Sequence, residues 1–542
     1  MAAVTAPPQH RGNPWVILIV ISLGFFMTLL DLTIVNIAIP NMISKLHASL
    51  DDILWVINAY ALVLAVLLIT FGRLGDLLGQ RTMFFIGVAL FTLASAACGL
   101  APSPGYLIAF RAVQGLGAAM LMPQTLAILT MVFPADRRGA AFGVWGAVAG
   151  VATVAGPTLG GLLVTAFDWR YIFFINVPVG ALVLVLTVFL IPDLRTGRRH
   201  SFDIAGVTLA SLSLLSICYA LVEGQKYNWG TIKSVISIPL LLGVGVVLFG
   251  AFLYVQTRRQ SGEPLVPFVL FRDRNYSLMN LVAGFISIGM LGIFLPFSIY
   301  LQSVLGFSAL KAGLTMAPAS VVSMFVAPVA GRLSDRIGGK FILFAGLVLF
   351  AGGMGSIAII AQANSAWYLF LAPQVVAGIG IGCTFAPMTT VAMRNVDPMM
   401  AGAASGVFNT TRQVGTVIGT AGVGALLQNR LIAGFASQIQ QLGAHLPAAA
   451  KDKLLTGFES AAKGGLEVGS GQEAKGLAGQ IFTHGYVQAM RPTILVPIFF
   501  LFAAAASCFF IKRRAAGAAA PAAATAEPTS ETGTAGAATS AG

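Results

Sequence analysis

The sequence predicts an all-α membrane protein with two six-helix bundles and two helices inserted between them, fourteen transmembrane helices in all. Three observations predict it. Of 542 residues, 57% are hydrophobic and only 9% are charged, where a soluble domain carries about 25% charged residues. Apolar runs of roughly 20 residues, each long enough to cross a hydrocarbon core of about 30 Å, recur along the whole chain. Several short motifs also return about 260 residues after their first occurrence, which marks an internal duplication.

The first run, 15–40, begins at Trp15 and ends at Pro40. It is too long for a signal-peptide core and no small-residue cleavage site follows, so it reads as a retained first helix. Spans at 53–71, 82–100, 106–128, 140–165 and 171–191 complete the first bundle. The runs 203–222 and 235–256 form the inserted pair. The second bundle takes 277–301, 313–331, 340–361, 367–391, 402–427 and 493–512. The organisation is therefore a cytoplasmic N-terminus (1–14), a first bundle (15–191), an inserted region (192–276), a second bundle (277–512) and a tail (513–542). That tail is nearly all Ala, Gly, Thr and Pro, too poor in apolar surface to order, so disorder is expected. Segment 428–492, rich in Ala, Gly and Gln, is expected to be a long extracellular loop, either mobile or folded into short amphipathic helices.

The net charge of +13 is a topology signal. With Met1 inside, most Lys and Arg fall in segments on the same side, among them Arg73, Arg81, Arg137, Arg138, Arg195, Arg198 and Arg199. The short loops on the other side hold few. This asymmetry places both termini in the cytoplasm and argues against nucleic acid as a partner. Cys98, Cys218, Cys383 and Cys508 all fall within spans and read as small core residues. None of the five His lies well inside a span, and no metal-ligand spacing occurs, so no metal or cofactor is expected.

The duplication is specific. GRLGDLLGQR (72–81) returns as GRLSDRIGGK (331–340), and GAAFGVWGAVAG (139–150) returns as GAASGVFNTTRQ (402–413). QGLGAAMLMP (114–123) is similar to AGIGIGCTFAP (377–387). Each pair keeps its orientation to the membrane, a parallel repeat of six spans, the architecture of carriers that alternate access to a midplane cavity.

Asp31, in LLDLTIVNIAIP, is the acid placed deep inside a span, where an ionised group costs at least a few kcal/mol and so points to function. Arg111, on a helix running the other way, reaches a neighbouring depth. Arginine does not deprotonate, so a switchable charge here must be the carboxylate. The alternative is a static ion pair locking two helices. Arg412 lies near mid-membrane opposite Ala149 in the repeat, so its charge belongs to one half only. With Asn36 and Gln114 it is a candidate to line the substrate cavity; a helix–helix hydrogen bond is the plainer role. Asp76, with Gly72 and Arg81, lies on a tight cytoplasmic turn, and its counterpart Asp335 raises the case for a gate-side latch over a merely solvated loop. Gly156, Pro157, Gly160 and Gly161 put a helix break and small side chains deep in the fifth span, which favours a bend and close helix contact.

Together these motifs resemble the major facilitator superfamily, and more narrowly its fourteen-span drug:proton antiporter-2 family of bacterial multidrug and antibiotic exporters. LDLTIVNIAIP looks like that family's first-helix motif, GRLGDLLGQR its cytoplasmic-loop motif, RAVQGLGAAMLMP its fourth-helix motif, and VAGPTLGG its fifth-helix antiporter signature. Similarity covers about residues 15–512. The resemblance implies proton coupling through Asp31 and Arg111, a latch at Asp76 and an antiport-specific bend at Gly156–Pro157. Gln80 departs from the loop motif, which usually has a basic residue there. The implied activity is proton-driven export of amphipathic, cationic or neutral drugs or antibiotics across the cytoplasmic membrane by alternating access. The alternatives are a dedicated exporter of a self-made metabolite, such as an antibiotic or siderophore, and a lipid translocator. The expected partners are a small amphipathic substrate, protons and the lipid bilayer, with the protein acting as a monomer. An enzyme is not expected, since no nucleophile–base pair, metal cluster or phosphate-cradling loop is present.

Overall fold

The computed structural model describes residues 13–48, 50–134, 137–192, 203–224, 226–233, 235–260, 264–442, 447–463 and 476–512. The expected disordered tail, 513–542, most of the N-terminus and the basic linker around Arg195, Arg198 and Arg199 lie outside the described residues.

Fourteen long helices carry the fold. The first half holds α1 (Pro14–Leu46), α2 (Leu50–Leu78), α3 (Gln80–Gly99), α4 (Pro104–Val132), α5 (Arg138–Ala166) and α6 (Tyr171–Leu190). The inserted pair is α7 (Ile204–Glu223) and α8 (Ile238–Arg258). The second half holds α9 (Arg274–Ile299), α10 (Ala309–Ile337), α11 (Gly339–Ile360), α12 (Leu371–Met393), α13 (Ala401–Leu442) and α14 (Leu477–Cys508). Among the described residues, twelve helices are long and apolar enough to cross a membrane; α5 and α13, at 29 and 42 residues, complete the two bundles. Local chemistry sets several starts. Asn13 accepts from Trp15 N at 3.0 Å with Pro14 at the first helical position of α1, and Asp203 and Asp273 cap α7 and α9 in the same way.

Within the first half α4 packs on α2 and α3, and α1 on α5; within the second, α12 packs on α10 and α11, and α13 on α9 and α14. The halves meet along two seams, α5 against α10 and α2 against α13. These are the helices that the duplication pairs crosswise. The inserted helices pack on each other, with Ser213 Oγ donating to Gly245 O at 2.9 Å. They then cover the α2–α13 seam, where Leu214 and Cys218 bury against Leu62, Ala65, Val66 and Val417. A small antiparallel pair, β1 (Thr231–Lys233) and β2 (Ile236–Ser237), joins α7 to α8.

Two expectations need correction. The first helix continues through Pro40 to Leu46, since one proline removes a single backbone hydrogen bond and a membrane helix tolerates that loss. In segment 428–492 the described residues take the helical alternative, with longer helices than expected: α13 runs on to Leu442, a separate helix covers Ala448–Lys463, and α14 begins at Leu477. Leu427, Leu431, Phe435 and Ile439 recur every four residues and bury one face. Phe435 stands 4.8 Å from Phe458 and 5.8 Å from Phe482 between ring centroids, so the three helices share an aromatic core.

Candidate functional site

Asp31 is fully buried near the middle of α1, and five helices of the first half converge on it. Its Oδ2 pairs directly with Arg111 Nη1 of α4. Its Oδ1 accepts from Gln114 Nε2 at 2.9 Å and from Asn176 Nδ2 of α6 at 3.5 Å. Arg111 in turn donates from Nη1 to Gln114 Oε1 at 2.8 Å and from Nε to Val56 O of α2 at 3.0 Å, with the Tyr60 ring 4.3 Å beneath its guanidinium carbon. Asn176 also donates to Ser95 Oγ of α3 at 3.1 Å, and Ser95 donates to Phe173 O. The neighbouring depths expected of Asp31 and Arg111 are thus a direct contact.

Such a pair is held by every partner it has. Removing one side of a buried ion pair costs about 3–5 kcal/mol because the other charge is left uncompensated. Besides Asp31, the acceptors of Arg111 are the neutral oxygens of Gln114 and Val56. Gln114, expected to line a cavity, is instead a fully buried member of this network. Asn36 lies apart from it, exposed, its Nδ2 donating to Leu32 O at 3.1 Å.

The second constellation lies at the end of the molecule that carries Arg73, Arg81 and Arg138. Asp76, at the end of α2, accepts from Gly402 N and Ala403 N at 2.8 Å each, the first amides of α13 in the other half. Asp335, at the end of α10, accepts from Gly139 N at 2.8 Å and Ala140 N at 3.0 Å, the first amides of α5. Each half therefore caps a helix of the other. A carboxylate at a helix N-terminus meets unpaired N–H groups and the positive end of the dipole. The two repeated motif pairs are the two sides of this exchange: the GRL-x-D segments supply the acids and the GAA segments receive them. Backbone contact is close on both sides. A Cβ on Gly72 would lie 2.6 Å from Gly402 O, and one on Gly143 would lie 2.6 Å from Ala327 O.

Gln80, at the position where the loop motif usually has a basic residue, donates to Asp76 Oδ1 at 3.1 Å, and Arg73 stands 3.9 Å from Oδ2. Arg81, expected in the latch, instead donates to Val188 O at 2.7 Å and ties α3 to α6 within its own half. Arg138 spans the halves, donating to Thr130 O at 2.6 Å and to Met393 O at 3.4 Å. Ser405 adds a bond from α13 to Pro123 O of α4. These bonds close the basic end.

The break expected at Gly156–Pro157 is absent, since α5 is helical throughout; the Pro157 side chain lies outside the described residues. The close contact is present: a Cβ on Gly156 would lie 2.7 Å from Thr33 Cβ of α1. Gly160 is buried, and Gly161 faces open space. Arg412 stands eleven residues into α13 with its guanidinium 5.1 Å from the Phe385 ring centroid of α12. A shallow apolar groove between α5 and α10, lined by Gly150, Val151, Ala155, Ser320, Val321 and Met324, brings no charged side chain. Sequence reasoning missed Tyr60, Ser95 and Asn176. An asparagine inside the apolar run FFINVPVG was the signal available for the last of these.

A family model described as Major Facilitator Superfamily matches residues 21–420. The chain is 36% identical over 411 residues to the multidrug resistance protein Stp of Mycobacterium tuberculosis, covering 76% of this chain and 75% of that one. It is 35% identical over 422 residues to the tetracenomycin C resistance and export protein of Streptomyces glaucescens, covering 78% and 77%. The fold is similar to that of the human organic anion transporter MFSD10 (TETRAN), with a TM-score of 0.54 at 14% identity over 92% of this chain and 100% of that one.

Proposed function

The chain belongs to the Major Facilitator Superfamily and is a multi-pass membrane transporter, and from that premise we propose that it exports amphipathic drugs or antibiotics across the cytoplasmic membrane in exchange for protons. The observation that carries this reading is the fully buried Asp31, paired with Arg111 and braced by Gln114 and Asn176. It is a carboxylate that can change charge beside a guanidinium that cannot. One proton descending roughly 150 mV releases about 3.5 kcal/mol, enough for a several-hundred-fold gradient of a neutral solute.

In this reading Asp76 and Asp335 latch the cytoplasmic end while the opposite end admits protons and releases cargo. Opening the cytoplasmic end breaks both caps at once. The positive-inside distribution of Lys and Arg supports the orientation, and similarity to the tetracenomycin C resistance and export protein supports export as the direction. That similarity also favours a narrower reading, a dedicated exporter of one self-made metabolite. The chain carries this out as a monomer, with Asn36 and Arg412 on the cargo path.

The test is dye efflux from loaded cells, with and without the expressed protein. Uphill efflux that a protonophore collapses, and proton movement that substrate induces in reconstituted vesicles, are the expected results. Efflux that persists without a proton gradient would overturn the coupling.

A further inference from the structure

Asp31, Arg111 and Arg412 are charged side chains set within the bundles. Asp31 and Arg111 neutralise each other. Arg412 has no such partner: its Nε is buried without an acceptor, and none of the described residues supplies a carboxylate to its guanidinium. It lies about 16 Å from the basic end of α13 at 1.5 Å per residue, on the helix that lines the seam between the halves.

Its surroundings are aromatic and short of acceptors. Phe385 of α12 lies under the guanidinium, and a Cβ built on Gly146 of α5 would come within 3.7 Å of Phe385 Cβ, so α5 leaves room beside that ring. Next to Gly146, Trp145 is buried and stacks on Phe25 of α1 at 4.1 Å and 16°. The Trp145 indole Nε1 also lacks an acceptor. Helices α13, α12 and α5 of the two halves therefore bring a cation onto an aromatic ring beside a glycine.

We propose that this is the cargo site and that it selects aromatic organic anions: planar molecules bearing a carboxylate, sulfonate or phenolate. The assignment rests on the transporter reading above and names its substrate class. A guanidinium in low-dielectric surroundings is costly until an acceptor reaches it, and its planar fork matches a carboxylate or sulfonate. The ring of Phe385 offsets part of that cost through its quadrupole but does not neutralise the charge. A cationic cargo would instead set like charge against Arg412 in the same space, where none of the described residues offers it a carboxylate. The site therefore reverses the preference for cationic or neutral drugs that the family resemblance implies.

Fluorescein and rhodamine 123 share a xanthene ring and differ in the sign of their charge. Equilibrium binding of each dye to the purified full chain in detergent, read by anisotropy, tests the assignment without any need for coupling. The dissociation constant for fluorescein should be at least about tenfold lower than for rhodamine 123. Arg412→Gln should erase that difference, chiefly by weakening fluorescein, and Arg412→Lys should keep part of it. Equal binding, tighter rhodamine 123, no binding of either dye, or fluorescein binding indifferent to Arg412→Gln would each overturn the inference. Should Arg412→Gln fail to fold, the wild-type comparison and Arg412→Lys decide. Fluorescein bound as expected but not exported would support the site and defeat the export reading instead.

Discussion

A carboxylate at Asp31 is worth its burial only if its charge matters. Both of its oxygens are engaged, by Arg111, Gln114 and Asn176, from two helices besides its own. Asp31→Asn preserves the shape and most of the hydrogen bonds but leaves Arg111 without a counter-charge. The expected outcome is loss of substrate-induced proton movement and a fall in uphill efflux of about 100-fold, with dye binding within a few-fold of wild type. Asp31→Glu retains the titrating group one methylene displaced and should keep partial activity. Vesicle assays with a pH dye check both; an Asp31→Asn protein that still pumps uphill until a protonophore is added would make Asp31 a structural brace. Asn176 offers a subtler test. Asn176→Ala removes a bond to Asp31 and leaves Ser95 Oγ without its donor, so it should cost about 1–2 kcal/mol and shift the pH profile of efflux without abolishing it. An unmoved pH profile would place Asn176 outside the coupling network.

Helices, taken as elements, meet where glycine permits. On the α1–α5 contact, Gly156 lets Thr33 approach so closely that any Cβ would collide. Gly156→Leu should therefore force the two helices apart and block export while the protein still reaches the membrane; wild-type efflux from that variant would reduce the contact to ordinary packing. At the basic end the reciprocal caps are the elements that hold the halves together. Asp76→Asn or Asp335→Asn retains an acceptor but removes the charge facing a helix N-terminus, a loss of about 1–2 kcal/mol each. Either change should shift the population toward the form open at that end, and the double change should shift it further. The reactivity of a cysteine placed at Ser405, which donates across the seam to Pro123 O, reports this directly. Equal reactivity in all three variants would show that the caps do not set the equilibrium.

The whole molecule is two related halves closed at one end by the same exchange made twice, with an inserted helix pair covering one of the two seams. Among the described residues, the inserted pair covers the α2–α13 seam alone, so the seams differ in what they present to lipid although the caps beneath them match. Orientation follows from charge: a reporter fused after Arg514 should read cytoplasmic, and a tag placed between Lys463 and Gly476 should be reachable from outside. A tag in that position protected in intact cells and exposed on lysis would reverse the assigned sides.

Hydropathy and repetition in the sequence by themselves determined the membrane class, the fourteen helices, the twofold plan and the placing of Asp31 and Arg111 at neighbouring depths, because these depend on composition, spacing and helix geometry. The signals that failed were local ones read too strongly. Ala and Gln in 428–492 left a mobile loop open beside short helices, although the four-residue recurrence of Leu427, Leu431, Phe435 and Ile439 already marked a helix. Gly–Pro at 156–157 suggested a break that helical packing does not require. Only the tertiary structure decided partnership. It alone brought Asn176 and Gln114 onto Asp31, sent Arg81 to Val188, and joined the acid of each half to the helix start of the other. Residues more than 140 or even 320 positions apart in the chain meet in these contacts. No local pattern encodes such distances, and helix packing alone sets which acid meets which amide.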